Sequence, residues 1–179
     1  MTEHLLLRHR EIPGLDRLAE YVRHGGFEAY RRAVTSLAPQ QVVEEIKASG
    51  LRGRGGAGFP TGLKWDLLTP DVFPRYLVVN GDESEPGTFK DRELLEGNPC
   101  QVLEGALIAA YAIRANRAFI YLRGEFADLA RNLDALIAEL HQAGFLGGKI
   151  LGTDYALTLT LHLGAGAYIC GEESALLES

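Results

Sequence analysis

Arg75-Tyr-Leu-Val-Val-Asn-Gly-Asp-Glu-Ser-Glu-Pro-Gly87 contains the junction on which the fold turns. The apolar run ending at Val79 is short, partly β-branched and bounded by turn residues, which reads as a buried strand. A polar loop from Asn80 to Arg92 follows it directly. Further along, Asn98-Pro99 marks a helix start, with proline tolerated in the first turn, and the helix runs to about Ile113. Its small residues Gly105, Ala106, Ala109 and Ala110 would let a sheet pack closely on it. Ala118-Phe-Ile-Tyr-Leu122 is a second strand, and Phe126 to Ala143 a helix ended by Gly144. Ala156 to Leu163 alternates, with Leu157, Leu159, Leu161 and Leu163 on one side and Thr158, Thr160 and His162 on the other, which is a strand buried mainly on one face. Gly164-Ala-Gly-Ala-Tyr-Ile-Cys-Gly-Glu-Glu173 then reads as a glycine loop opening a helix. Strand, helix, strand, helix, strand, helix is the order of an α/β layer. Upstream, residues 14 to 38 form two amphipathic helical pieces separated by Gly25-Gly26, and Gln40 to Ala48 a third, with Val42, Val43 and Ile46 at helical spacing. The expected organisation is a helical region over 1–49 and an α/β domain over 50–179.

With 179 residues, 46% of them apolar, the chain suits one domain of ordinary size. Its 18 basic and 24 acidic side chains leave a net charge of −6, which argues against a general nucleic-acid surface. Cys100 and Cys170 are far apart, so neither a disulfide framework nor a four-cysteine cluster is expected, and no histidine has metal spacing. The three leucines at Leu5–Leu7 are too short a run for a signal peptide or a membrane span, as is Val102 to Ile113. The stop at Ser179, barely one turn into an apolar helix, reads as a truncation.

Three segments could carry chemistry. In Leu51 to Trp65, clustered glycines let the backbone approach a ligand, successive N–H groups can form an anion nest, and Arg52, Arg54 and Lys64 add positive charge. That favours a phosphate or dinucleotide cradle, with a plain surface loop as the alternative. Gly53-Arg-Gly-Gly-Ala-Gly58 has the spacing of a dinucleotide fingerprint, yet a helix precedes it where a strand should, and Phe59-Pro60 follows where the helix should begin. An RNA-binding element built on one unrepeated RGRGG in an acidic chain is a remote alternative. In the second segment, Asp82, Glu83 and Glu85 crowd three carboxylates into four residues beyond a strand end, where α/β sheets place ligands. Hydrogen bonding to ligand hydroxyls or to a carboxamide and a solvated acidic turn both remain open; metal binding lacks the EF-hand spacing. In the third, a glycine loop feeds a helix N-terminus, which attracts anions, while Glu172 and Glu173 would equally suit a helix cap. Tyr168 could stack on a flat ring or be core; Cys170 is expected to be a buried inert thiol, and His162 plain surface.

The strings Gly50-LRGRGGAGFPTGLKW-65, Asn80-GDESEPGTFKDR-92 and Gly164-AGAYICGEESAL-176, with Tyr121-LRGE-125 and Gly152-Thr-Asp154 between them, resemble the flavoprotein subunit of NADH:quinone oxidoreductase, the F subunit of respiratory complex I in bacteria. The same module occurs in the diaphorase subunit of NAD-reducing hydrogenases and in NAD-linked formate dehydrogenases. The resemblance implies a Rossmann-like domain for FMN and NADH, with helices in front of it, cut off before the ubiquitin-like domain and the helical domain that ligates a 4Fe–4S cluster. FMN would meet Gly53, Arg54, Gly55, Gly56 and Lys64 with its phosphate and ribityl chain, Asn80, Asp82, Glu83 and Ser84 along the flavin, and Tyr168, Gly171 and Glu172 on the other side. For NADH it implies Phe59 at the adenine, Glu85 near the nicotinamide and Glu173 at the adenosine ribose, where a carboxylate would disfavour the 2′-phosphate of NADPH. It implies hydride transfer from NADH to FMN and onward flow through iron–sulfur clusters toward quinone, with no catalytic side chain and no metal on this chain. The expected partners are other peripheral-arm subunits, above all a thioredoxin-like 2Fe–2S subunit, on the cytoplasmic side of the bacterial inner membrane. A fragment that keeps the fold without flavin is the alternative of another class. Gly81 stands where complex I members often have alanine, and Leu67 where some members place a second aromatic around the adenine.

Overall fold

Strands β1 (Tyr76–Gly81), β2 (Arg117–Leu122) and β3 (Thr158–Leu163) lie parallel in that order, with Tyr76 beside Arg117 and Arg117 beside Thr158. The computed structural model describes residues 6, 7, 9 and 11–179; His4 and the first of the three leucines lie outside them. Parallel strands need long crossovers. Between β1 and β2 the chain passes through α5 (Lys90–Gly97) and α6 (Pro99–Ala112); between β2 and β3 it passes through α7 (Ala127–Gln142). Alternate strand residues face opposite sides. On one side Ala118, Ile120, Leu122 and Leu159 are buried in the same core as Leu103, Leu107 and Ala110 of α6 and Leu133, Leu136 and Leu140 of α7. The small residues do on α6 what their spacing suggested, since Ala106, Ala109 and Ala110 are buried, while Gly105 faces solvent.

The opposite sheet face carries Tyr76, Val78, Phe119, Tyr121 and His162. Helix α8 (Glu173–Glu178) lies on it: Leu176 packs with Tyr121 and Val78, and Ser179 shares a hydrogen bond of 2.9 Å with the Tyr121 hydroxyl. Tyr76 stays half exposed. His162 is on the surface as expected, with its ring stacked on Tyr121.

The N-terminal helices are α1 (Leu18–Arg23), α2 (Glu28–Ser36) and α3 (Pro39–Ser49). The break at Gly25-Gly26 has a steric cause as well as a conformational one. Gly25 has φ +87°, and a Cβ on Gly26 would overlap the Tyr21 ring. The buried carboxylate of Glu104, on α6, fastens this region to the sheet layer. It accepts from the Tyr21 hydroxyl at 2.7 Å, from Phe27 N–H at 3.0 Å and from Tyr30 N–H at 3.1 Å. Two of these donors are orphan amides at the start of α2, which a carboxylate satisfies both as acceptor and as counter-charge. Burial also pushes the Cys100 thiol up to about 12 and leaves it protonated.

The structure corrects the sequence reading in four places. Helicity begins at Leu18, not residue 14. An unforeseen short helix, α4 (Thr61–Asp66), follows the glycine segment, starting two residues beyond Phe59. The acidic loop ends three residues early because α5 already begins at Lys90. At the end of β3, an edge strand, Leu163 is exposed although it continues the alternation, while its neighbour Leu122 on the central strand is fully buried.

Candidate nucleotide-binding site

The carboxyl ends of β1 and β3 and the glycine segment converge. Arg54 and Gly55 from the glycine segment, residues 80–91 following β1, and Tyr168 to Glu172 following β3 enclose one cleft of about 490 Å³. That volume falls in the usual range of roughly 300–1,000 Å³ for cofactor sites, and strand carboxyl ends are where open α/β sheets hold ligands.

The glycine segment is a small hairpin. Gly53 N–H donates to the Phe59 carbonyl at 3.0 Å, and the Arg52 side chain to the Gly58 carbonyl at 2.6 Å. Gly58 alone among Gly53, Gly55, Gly56 and Gly58 has positive φ. The left-handed region open to glycine is therefore not used at the other three. A Cβ on Gly55 or Gly56 would meet nothing within 4 Å, so the fold itself does not require glycine there. What the missing side chains provide is open space beside backbone amides, as an anion nest needs.

Asn80 ties two walls together. Its side-chain amide donates to the Gly171 carbonyl at 3.0 Å, and its oxygen accepts from Asp82 N–H at 3.0 Å. Asp82 in turn accepts from the Ser84 hydroxyl at 2.7 Å. Tyr168, 60% exposed and therefore not core, donates its hydroxyl to Glu85 across the cleft. That bond holds the phenol above its ordinary pKa.

The crowded carboxylates of the acidic loop divide into different roles. Glu83 is only 4% exposed, and its two oxygens accept from Asp91 N–H at 2.8 Å and Arg92 N–H at 3.0 Å. It caps α5, so its carboxylate is committed to the protein. Glu172 does the same for α8, accepting from Ser174 N–H at 3.0 Å and Ala175 N–H at 3.1 Å. Those amides hold its carboxyl below the usual range. For Glu172, capping and cleft lining compete as readings of the sequence, and the two coincide; Glu83, readable as part of a solvated acidic turn, is instead a buried cap that also lines the cleft. Asp82 and Glu85 remain as acceptors toward a ligand, against Arg54 and Lys90 as cations.

Of the anticipated residues, Arg54, Gly55, Asn80, Asp82, Glu83, Ser84, Glu85, Tyr168, Gly171 and Glu172 share the cleft. Gly53, Gly56, Phe59, Lys64 and Glu173 lie off its wall. Phe59 is about half exposed, Lys64 projects from α4 and Glu173 is exposed in the first turn of α8. Thr88, Lys90, Asp91 and Ile169 line the cleft without having been anticipated. For the first three, the missing signal was the helix start at Lys90, which folds the loop's end back onto the cleft. Cys170 is buried beside Tyr121, as its neighbours suggested. Among the described residues no group of three or more His, Cys, Asp or Glu is placed to hold a metal ion, and no helix is long and apolar enough to cross a membrane.

Parallel strands, a glycine hairpin beside open space and a polar cleft beyond the strand ends define a Rossmann-like nucleotide-binding protein. Sequence comparison gives the family: the Nuo51 FMN-binding domain matches residues 46–179, and the chain belongs to it. The NADH-quinone oxidoreductase F subunit of Streptomyces coelicolor is 58% identical over 160 residues, covering 89% of this chain and 35% of that protein. An F subunit of the same enzyme from Rhizobium meliloti, the one numbered 2, is 48% identical over 180 residues, covering 100% of this chain and 43% of its own. The chain thus spans well under half the length of these curated relatives. Among solved structures, an NAD+-reducing NiFe hydrogenase in its H2-reduced state superposes with a TM-score of 0.70 at 45% identity, covering 78% of this chain and 24% of that one. The air-oxidised state gives 0.73 at 36% identity, covering 98% and 27%.

Proposed function

We propose that this chain is the FMN- and NADH-binding part of an NADH dehydrogenase module of complex I, with an N-terminal helical region over 1–49 and the binding domain over 50–179. The observation that carries this reading is the convergence of all three motif segments on one cleft at the carboxyl ends of parallel strands. The residues present fit the flavin nucleotide. Arg54 and the open amides of Gly55 and Gly56 suit a phosphate, and Gly53 and Lys64, off the cleft wall, are assigned to the same group. Asn80, Asp82, the Glu83 backbone and Ser84 suit the hydroxyls and ring edge of a flavin, and Tyr168, Gly171 and Glu172 form the facing wall. Phe59, Glu85 and Glu173 are assigned to the adenine, nicotinamide and ribose of NADH. When bound, FMN supplies a two-electron acceptor that can release electrons singly. The chain's own part is to bind, to hold the two rings face to face and to keep water and oxygen out. No side chain is assigned as acid or base.

Electrons would leave toward iron–sulfur clusters held by other segments and subunits, including a thioredoxin-like 2Fe–2S partner, at the cytoplasmic face of the bacterial inner membrane. The hydrogenase neighbours support a second reading, in which the same module serves as a diaphorase. The decisive experiment is reconstitution of the protein with FMN. A flavin absorbance band that survives gel filtration and bleaches on adding NADH is expected; a protein that retains no flavin would refute the assignment.

A further inference from the structure

Arg123 stands just past the end of β2, outside the wall of the cleft, yet its guanidinium holds the loop that forms one side of it. One nitrogen, Nη1, donates to the backbone carbonyl of Glu83 at 2.9 Å, and Nη2 donates to Oε1 of Glu125 at 2.8 Å. The Arg123 backbone N–H also reaches the Gly81 carbonyl at 3.4 Å. Glu83 is therefore held from both ends, its carboxylate by the first amides of α5 and its carbonyl by Arg123.

We propose that Arg123 is a positioning residue for nucleotide binding: by holding the Glu83 carbonyl it fixes the Glu83–Ser84 peptide, and so sets where Ser84 stands against the flavin and Glu85 against NADH. This rests on the function proposed above. The peptide is planar, so a carbonyl held on the Arg123 side sends the Ser84 N–H to the opposite side. Arg123 is not on the cleft wall and Ser84 is, so fixing one side orients the other. The bond is charge-assisted, which makes it stronger than a neutral hydrogen bond of the same length. Glu125 accepts from the second arm of the fork at the surface, as an exposed ion pair separate from the grip on the carbonyl.

The test uses the full-length protein and three variants: Arg123→Gln, Arg123→Lys and Glu125→Gln. Two quantities are read: hydrogen exchange of the backbone amides of residues 83–85, and the separate KM and kcat for NADH at matched flavin content. In Arg123→Gln the amides are expected to exchange about tenfold faster and KM to rise by about tenfold, the size of one charge-assisted bond, with kcat within twofold. Arg123→Lys, which keeps a cationic donor, is expected to restore most of both. Glu125→Gln is expected to change neither by more than about threefold, its loss being that of one exposed ion pair. Unchanged exchange and KM in Arg123→Gln overturn the proposal, and so does a Glu125→Gln variant that reproduces its effects. Arg123→Met, with a stem and no donor, replaces the glutamine variant if that one does not fold. A wild-type protein that binds no FMN would defeat the functional assignment instead, and the exchange measurement would still report on the Arg123 grip.

Discussion

Glu104 and Glu173 show how differently two glutamates can be used. Glu104 is buried and receives three donors. Glu104→Gln replaces one acceptor oxygen by a donor amide facing donors, and should lower stability by about 2 kcal/mol. The urea midpoint with unchanged m-value measures it, and a midpoint equal to wild type would deny Glu104 this role. Glu173 has no such commitment. Glu173→Gln should raise the kcat/KM for NADPH relative to NADH, because the carboxylate assigned to the ribose would no longer repel a 2′-phosphate. An unchanged ratio would remove Glu173 from the ribose site. Residue roles were the least legible level of the sequence. Asp82, Glu83 and Glu85 look alike as a string, and so do Glu172 and Glu173. Which carboxylate is turned onto helix amides and which onto a ligand depends on where α5 and α8 begin, a tertiary outcome.

The larger elements were readable because each carries its own period. The strands are short apolar or alternating runs, and α6 announces itself with Asn98, whose side chain accepts from Gln101 N–H at 3.2 Å. Asn98→Ala should cost about 1 kcal/mol through loss of that cap, visible as a lowered denaturation midpoint; no shift would mean that the cap contributes nothing. The short helices α4 and α5 were missed because six and eight residues hold too few turns for a pattern. Their existence depends on what they dock against. A Cβ on Gly62 of α4 would lie 2.6 Å from the backbone nitrogen of Lys47 on α3. Gly62→Ala should therefore destabilise by about 1–3 kcal/mol and displace the base of the glycine hairpin. The measurement is the denaturation midpoint together with FMN retention after dialysis. A variant that behaves as wild type in both would mean that α4 does not depend on its close approach to α3.

Across the molecule, burial raises the phenols of Tyr21, Tyr30 and Tyr155 above their ordinary value near 10. A folded-state pKa raised above the unfolded one gives stability that is complete below the unfolded value and is lost as pH rises through the folded one. The chain should therefore hold these phenols protonated past pH 10 and then unfold, with tyrosinate absorbance and loss of helical ellipticity moving together. Absorbance for all seven tyrosines rising near pH 10, at constant ellipticity, would contradict this.

Asn80 carries a consequence for anyone wishing to redesign cofactor choice. It touches the Gly171 carbonyl on one bank and the Asp82 amide on the other, so the two banks of the cleft share a hinge pin. Swapping one bank for that of a relative would disturb its neighbour. Selectivity in this scaffold is best exchanged as a matched pair of segments, never one loop at a time.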